Sequence, residues 1–211
     1  MNAFHWFLEG GPILWLILLC GLAAAAVFLE RLLHLRRAAI DHRDFLQGVC
    51  NVLDKGNVDE AVQICEEAPG PVPALIRTAI LHRHEPRHVL AEAIGHIGRA
   101  EIARMERRVA VIATIGQVTP LLGLLGTIFG LIETVLVLHD QTPLIDAPTV
   151  TLGVLRALIA AGAGLIVAVP CYLMHNILLV QIDRMVLDME AADTEITAYL
   201  TAQHGAAKGP P

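Results

Sequence analysis

Apolar residues dominate three stretches of the chain, and charge collects between them. The first stretch, 12–29 (PILWLILLCGLAAAAVFL), holds no charged residue. The second covers about 109–138 and the third about 150–180. Each is long enough, or nearly so, for a helix to cross a bilayer, which takes about 20 residues. This pattern predicts an all-α integral membrane protein with three transmembrane helices, whose long helices extend into a cytoplasmic helical domain. Its segments are an N-terminal segment with the first transmembrane helix (1–30), a cytoplasmic helical loop (31–108) and the second transmembrane helix (109–138). A short periplasmic loop (139–149), the third transmembrane helix (150–180) and a cytoplasmic C-terminal helix with a disordered tail (181–211) complete the chain. The tail is expected to lose order after Thr201.

The loop carries helix punctuation of its own. Asn57 and Glu60, three residues apart, match a capping box, and Gly56 suits the end of the preceding helix. Pro69, Pro71 and Pro73 break the pattern, and Pro73 can open a new helix at its first position. Beyond Pro86, the apolar residues Val89, Ala93, Ile97, Met105, Val109 and Ile112 recur at helical spacing. Only Pro120 interrupts the run up to Leu138. One continuous helix is expected, leaving the membrane and approaching roughly 80 Å at about 1.5 Å per residue.

Composition supports the membrane reading. Hydrophobic residues make up 55% of the chain, against 17% charged and 4% aromatic; a soluble domain carries about 25% charged residues. Disorder and a secreted disulfide scaffold are excluded. The net charge of −6 matters less than where the charge sits. Twelve of the fifteen Lys and Arg fall between Arg31 and Arg108, and none lies between Val109 and Leu155. The positive-inside rule then places the N-terminus and the short loop outside, and the long loop and C-terminus inside. A cleaved signal peptide has the opposite polarity around its apolar run, so the first span is read as retained. A basic stretch bracketed by apolar spans is also unlike the basic face of a nucleic-acid binder, and no nucleic-acid partner is expected.

In the second span Gly116, Pro120, Gly123, Thr127, Gly130 and Thr134 share one small or polar helix face. Gly153, Ala157, Ala160, Gly164 and Ala168 do the same in the third. Small residues at this spacing let membrane helices approach closely. Either the stripe packs helices together, or it lines a pore or receives a partner helix; Thr127, a hydroxyl in mid-span, favours the latter. Glu133 and Arg156 are ionisable residues inside spans and are therefore functional candidates. Both lie roughly 8–9 Å below the outer ends of antiparallel helices, a depth at which they can form an intramembrane charge pair. His175 sits near the inner end of its span. His84, His88, Glu92 and His96 recur four residues apart, but Pro86 separates His84 from the rest, so a solvated polar face is expected rather than a metal site. Cys50 and Cys65 are expected to be buried and reduced. No phosphate loop, nucleophile elbow or carboxylate pair is present, so neither an enzyme nor a cofactor is expected.

Three segments carry a resemblance to a known family: GNVDEAVQICEEAPGPVPALIRTAI in the loop, ATIGQVTPLLGLLGTIFGLIETV in the second span, and ALIAAGAGLIVAVP in the third. Together they resemble the ExbB/TolQ/MotA proton-channel subunits, specifically the ExbB/TolQ branch. The resemblance implies a homo-oligomeric ring in the bacterial inner membrane, typically a pentamer, holding single-span helices of an ExbD/TolR-like partner. A partner Asp would carry protons inward, and the resulting motion would act on a TonB/TolA-like protein for outer-membrane transport or envelope maintenance. Thr127 matches the threonine that faces the partner Asp. The pore- or partner-facing residues would be Gly123, Thr127, Gly130, Thr134, Ala160, Ala161 and Gly164. Two positions depart from the family: Arg156 stands where Glu is common, and Ala161 where Thr is common. The alternative function is a non-conducting membrane scaffold of the same architecture.

Overall fold

The computed structural model describes residues 11–38, 42–140 and 147–207. The described residues are entirely helical, in six helices: α1 (Gly11–Ala38), α2 (His42–Asp54), α3 (Val58–Glu67), α4 (Pro71–Leu81), α5 (Arg87–Asp140) and α6 (Ala147–Ala207). Within α1, α5 and α6 lie three segments long and apolar enough to span a membrane. This is an all-helical membrane protein.

The helices divide into two compact units. The first holds α1 as far as Glu30, α5 from Arg108 and α6 as far as Ile177. Its outer surface is large and apolar: Trp15, Leu19 and Leu22 on α1, Leu121 and Phe129 on α5, and Leu158 and Ile166 on α6 are all exposed. Its interior combines Leu14, Ile17, Val109 and Ile112 with a long run of small residues. Glu30 accepts from the Arg108 guanidinium at 2.6 Å, on the surface of this unit.

The second unit holds the short helices α2 to α4 with the remaining parts of α1, α5 and α6. Here the core is conventional. Leu46, Val49 and Leu53 of α2 and Leu75, Ile76, Ala79 and Ile80 of α4 are buried. So are Leu178, Ile182, Met185, Met189, Ala192, Ile196 and Leu200, which recur every three or four residues along α6. That periodicity is the apolar stripe of a helix facing a core. Polar ties fix the rim: Arg77 to Glu66 at 2.6 Å, His42 Nδ1 to Asp188 at 3.2 Å, and the Tyr199 hydroxyl donating to Asp54 at 2.6 Å.

Several local features differ from the sequence expectations. Asn57 precedes α3 but makes no side-chain cap bond; its amide instead donates to Glu60 Oε2 at 3.0 Å, so the two side chains satisfy each other rather than the backbone. Helix α4 opens at Pro71, not Pro73, with Gly70 before it at φ +117. No L side chain is comfortable at that angle, and a Cβ there would stand 2.6 Å from the carbonyl oxygen of Ala38. Gly56, at φ +80, terminates α2 as expected. Helix α5 begins directly after Pro86, whose carbonyl accepts from Val89 and Leu90. Helix α6 continues past Thr201 to Ala207; residues 208–211 lie outside the described part.

Candidate functional site

In the membrane-spanning unit the buried residues of α5 are Val109, Ile112, Gly116, Thr119, Gly123, Gly126 and Gly130. The steps alternate between three and four, a repeat of seven. On α6 the buried line is Gly153, Ala157, Ala160, Gly164, Ala168 and Cys171. The two lines face each other in antiparallel register. A Cβ on Gly123 would lie 3.0 Å from the Ala160 carbonyl oxygen and 3.3 Å from Gly164 Cα. One on Gly130 would lie 3.1 Å from Ala157 Cβ, and one on Gly116 3.3 Å from Cys171 Cβ. With no driving force from water, helices in lipid associate through such close backbone approach.

This geometry reassigns part of the expected site. Gly123 meets Ala160 and Gly164, and Gly130 meets Ala157 and Gly153, all within the chain, so for them the packing alternative describes what the structure places there. Thr134 is half-buried beside Gly153, and its hydroxyl donates to the Gly130 carbonyl at 2.7 Å. Thr127 and Ala161 are also half-buried, but they stand on the flank of the seam rather than in it. The Thr127 hydroxyl donates to the Leu124 carbonyl at 2.6 Å. Its lone pairs remain able to accept a proton-bearing partner. Ala161 adds no hydroxyl to that flank.

Two seam residues lie outside the stripe read from the sequence. Thr119 is fully buried, and its hydroxyl donates to the Ile115 carbonyl. Gly126 has no room for a side chain, since its Cβ would stand 2.6 Å from Ala160 Cβ and 3.4 Å from Ile13 of α1. The seven-residue repeat beginning at Val109 and Ile112 was the signal that would have found both.

Toward the end of α5 and the start of α6, Arg156 Nη1 lies 3.3 Å from Glu133 Oε1. The two side chains are 42% and 60% exposed, respectively, and the Arg156 Nε is buried without a hydrogen-bond partner. Near the middle of α6, His175 is half-buried and its Nδ1 lacks a partner. His88, Glu92 and His96 are exposed along α5, with His84 in the preceding turn. The described residues contain no group of three or more His, Cys, Asp or Glu placed to hold a metal ion. In the second unit, burial pushes the Cys65 thiol up to about 11, against a smaller opposing pull from Arg77. Cys50 is raised by burial and then by Asp54 and Glu195. Both thiols are therefore poor nucleophiles at neutral pH.

Comparison with known proteins gives a consistent picture. Residues 68–191 match the MotA/TolQ/ExbB proton channel family. A Methanothermobacter thermautotrophicus protein named as an ExbB homolog is 28% identical over 164 residues, covering 77% of this chain and 58% of its own. The biopolymer transport protein ExbB of Salmonella typhimurium is 31% identical over 121 residues, covering 47% of this chain and 49% of its own. The Tol-Pal system protein TolQ of Haemophilus influenzae is 32% identical over 106 residues, covering 49% and 45%. The chain thus spans about half the length of these curated relatives.

Proposed function

The chain belongs to the MotA/TolQ/ExbB proton channel family, and from that premise we propose that it is the ring-forming inner-membrane subunit of a proton-driven motor of the ExbB–ExbD or TolQ–TolR kind. The motor would couple the proton motive force to outer-membrane transport or envelope maintenance through a TonB/TolA-like protein. The concentration of Lys and Arg between Arg31 and Arg108 supports an inward-facing second unit, with the N-terminus and the α5–α6 connection outside.

The observation that carries this reading is the position of Thr127. It is half-exposed on the flank of the α5–α6 seam, in a family-matched segment, with acceptor lone pairs still open. A single-span partner helix bearing an Asp would seat against the flank formed by Thr127 and Ala161. The seam glycines serve it indirectly, by holding the two helices close enough to make one wall. A hydroxyl here can accept from a protonated carboxyl and then donate onward, the minimal unit of a relay.

The test is purification of the tagged chain from its native membranes with mild detergent. A pentameric assembly carrying a single-span protein with an intramembrane Asp is expected. In reconstituted vesicles the complex should pass protons; Thr127→Val should lower that flux at least about tenfold, and Thr127→Ser should restore most of it. Recovery of a monomer alone would refute the ring. A retained complex with no flux in any variant would select the scaffold alternative.

A further inference from the structure

Glu133 and Arg156 lie on the opposite side of the α5–α6 seam from Thr127 and Ala161. At about 100° per residue, Thr127 and Glu133 stand about 120° apart around α5, with the buried Gly123–Gly126–Gly130 line between them. Arg156 and Ala161 stand about 140° apart around α6, with Ala157, Ala160 and Gly164 between them. The packing of α1 identifies the two sides. Ile13 lies 3.4 Å from the Cβ position of Gly126, and Val167 lies 3.0 Å from that of Gly21. Gly126 is seven residues before Glu133, and Val167 is eleven after Arg156; both spacings return to within about 20° of the same face. The ion pair therefore shares the helix faces that, further along the span, meet α1.

We propose that Glu133 and Arg156 form a charge-compensated clamp, off the Thr127–Ala161 flank, that holds the register of α5 against α6 at the outer end of the membrane. A lone charge at this depth is costly; paired 3.3 Å apart, the two charges cancel and tie antiparallel helices at one level. The seam beside them is mostly Gly and Ala, and the Thr119 hydroxyl bonds its own helix, so a polar fastener at its end fixes which residues face each other. Arg156 is thereby a positioning residue. Its positive charge need not obstruct a proton moving along the other flank. The register part of this proposal stands on the observed pair alone; the off-path part rests on the proposed function of the Thr127 flank.

Two measurements on the full-length chain in membranes test it, in a background with Cys20, Cys50, Cys65 and Cys171 replaced. The first uses Thr134→Cys with Gly153→Cys, whose β-carbons would stand about 3.1 Å apart, near disulfide range. Glu133→Gln or Arg156→Gln should each slow oxidative cross-linking at least about fivefold, and the swap Glu133→Arg with Arg156→Glu should recover it to within about twofold. Unchanged rates in the single variants, or additive damage in the swap, overturns the clamp. The second uses Ala161→Cys and compares its reaction rates with cationic and anionic water-soluble methanethiosulfonates. The ratio should change less than about twofold between the chain with the pair intact and the doubly neutral Glu133→Gln, Arg156→Gln variant. A shift of about tenfold would place the pair on the path. Failure of Ala161→Cys to react with either reagent would count against the water-accessible flank, and with it the off-path half, leaving the cross-linking result to decide the clamp by itself.

Discussion

Gly162 and Gly164 are two residues apart on α6, yet the structure demands opposite responses to the same added methyl group. A Cβ at Gly164 would lie 2.9 Å from the Thr119 carbonyl oxygen, 3.1 Å from Gly123 Cα and 3.3 Å from Gly123 N. All three are backbone atoms of α5, which cannot rotate aside. A Cβ at Gly162 meets nothing within 4 Å. Both Gly→Ala changes gain about 0.5–1 kcal/mol of backbone entropy in a helix, so that contribution cancels in the comparison. What remains is the seam. Restoring ordinary contact at Gly164 requires the helices to part locally by roughly 0.5 Å or more, and such a gap forfeits about a quarter to a half of each facing atom pair's attraction. With on the order of thirty pairs at about 0.15 kcal/mol each, the loss is about 1–2 kcal/mol, within the range of about 1–3 kcal/mol for overpacked interiors. Gly164→Ala should therefore be less stable than Gly162→Ala by about 1–2 kcal/mol, roughly a 5–30-fold difference in folding equilibrium.

The assay is reversible unfolding of monomeric protein by SDS titration in mixed micelles, followed by tryptophan fluorescence and far-UV circular dichroism. Monomers are used so that a neighbouring copy cannot supply a contact at Gly162. If the two variants unfold at the same SDS fraction, the α5–α6 seam is not the close backbone contact described above. In that case the reassignment of Gly123 and Gly164 from partner-facing to seam residues falls as well.

Two further outcomes concern the second unit. Cys65 has a folded-state thiol pKa raised to about 11, above its value of about 8.5 in an unfolded chain. Its contribution to stability is thus fully present below about pH 8.5 and is lost as pH rises through 11; replacing Cys65 by Ala should flatten the denaturation profile over that window, and native-state labelling at pH 7.5 should spare Cys65 until denaturant is added. Gly70→Ala puts a Cβ 2.6 Å from the Ala38 carbonyl at φ +117, at a cost of about 1–3 kcal/mol; Gly48→Ala, with nothing within 4 Å, should cost nothing, and limited proteolysis of both variants would expose equal sensitivity if Gly70 is unstrained.

The spans were legible because twenty or so apolar residues in a row admit few alternatives. The start of α5 was legible because Pro86 cannot lie inside a helix without losing a bond. Asn57 was misread for a physical reason. The capping-box spacing brings residues 57 and 60 within reach of each other as well as of the backbone, and the sequence does not say which bond forms; the amide of Asn57 chose the carboxylate. Pro73 was expected to open α4, and Pro71 opens it instead. The choice fell to Pro71 because Gly70 supplies the positive φ that brings the chain in beside Ala38.

The small-residue stripe shows where periodicity stops being informative. A face of glycines is needed both by a helix that packs closely against its own neighbour and by one that admits a foreign helix, since each requires the backbone to be bare. Residue types alone cannot separate the two, and the separation comes from phase. Taking steps of four where the seam takes three puts Pro120 and Thr127 on the stripe and drops Thr119 and Gly126. Correcting the phase moves Thr127 from the centre of a face to its edge, beside Ala161, and sets Glu133 on the opposite edge beside Arg156. The unusual arginine then has a different meaning. Read along the sequence, it falls among the positions that the family resemblance links to the partner; read around the helix, it turns away from Ala161 and meets the Glu133 carboxylate. Under the proposed function, a cation at this position is compatible with a proton-conducting ring because its charge is cancelled by Glu133.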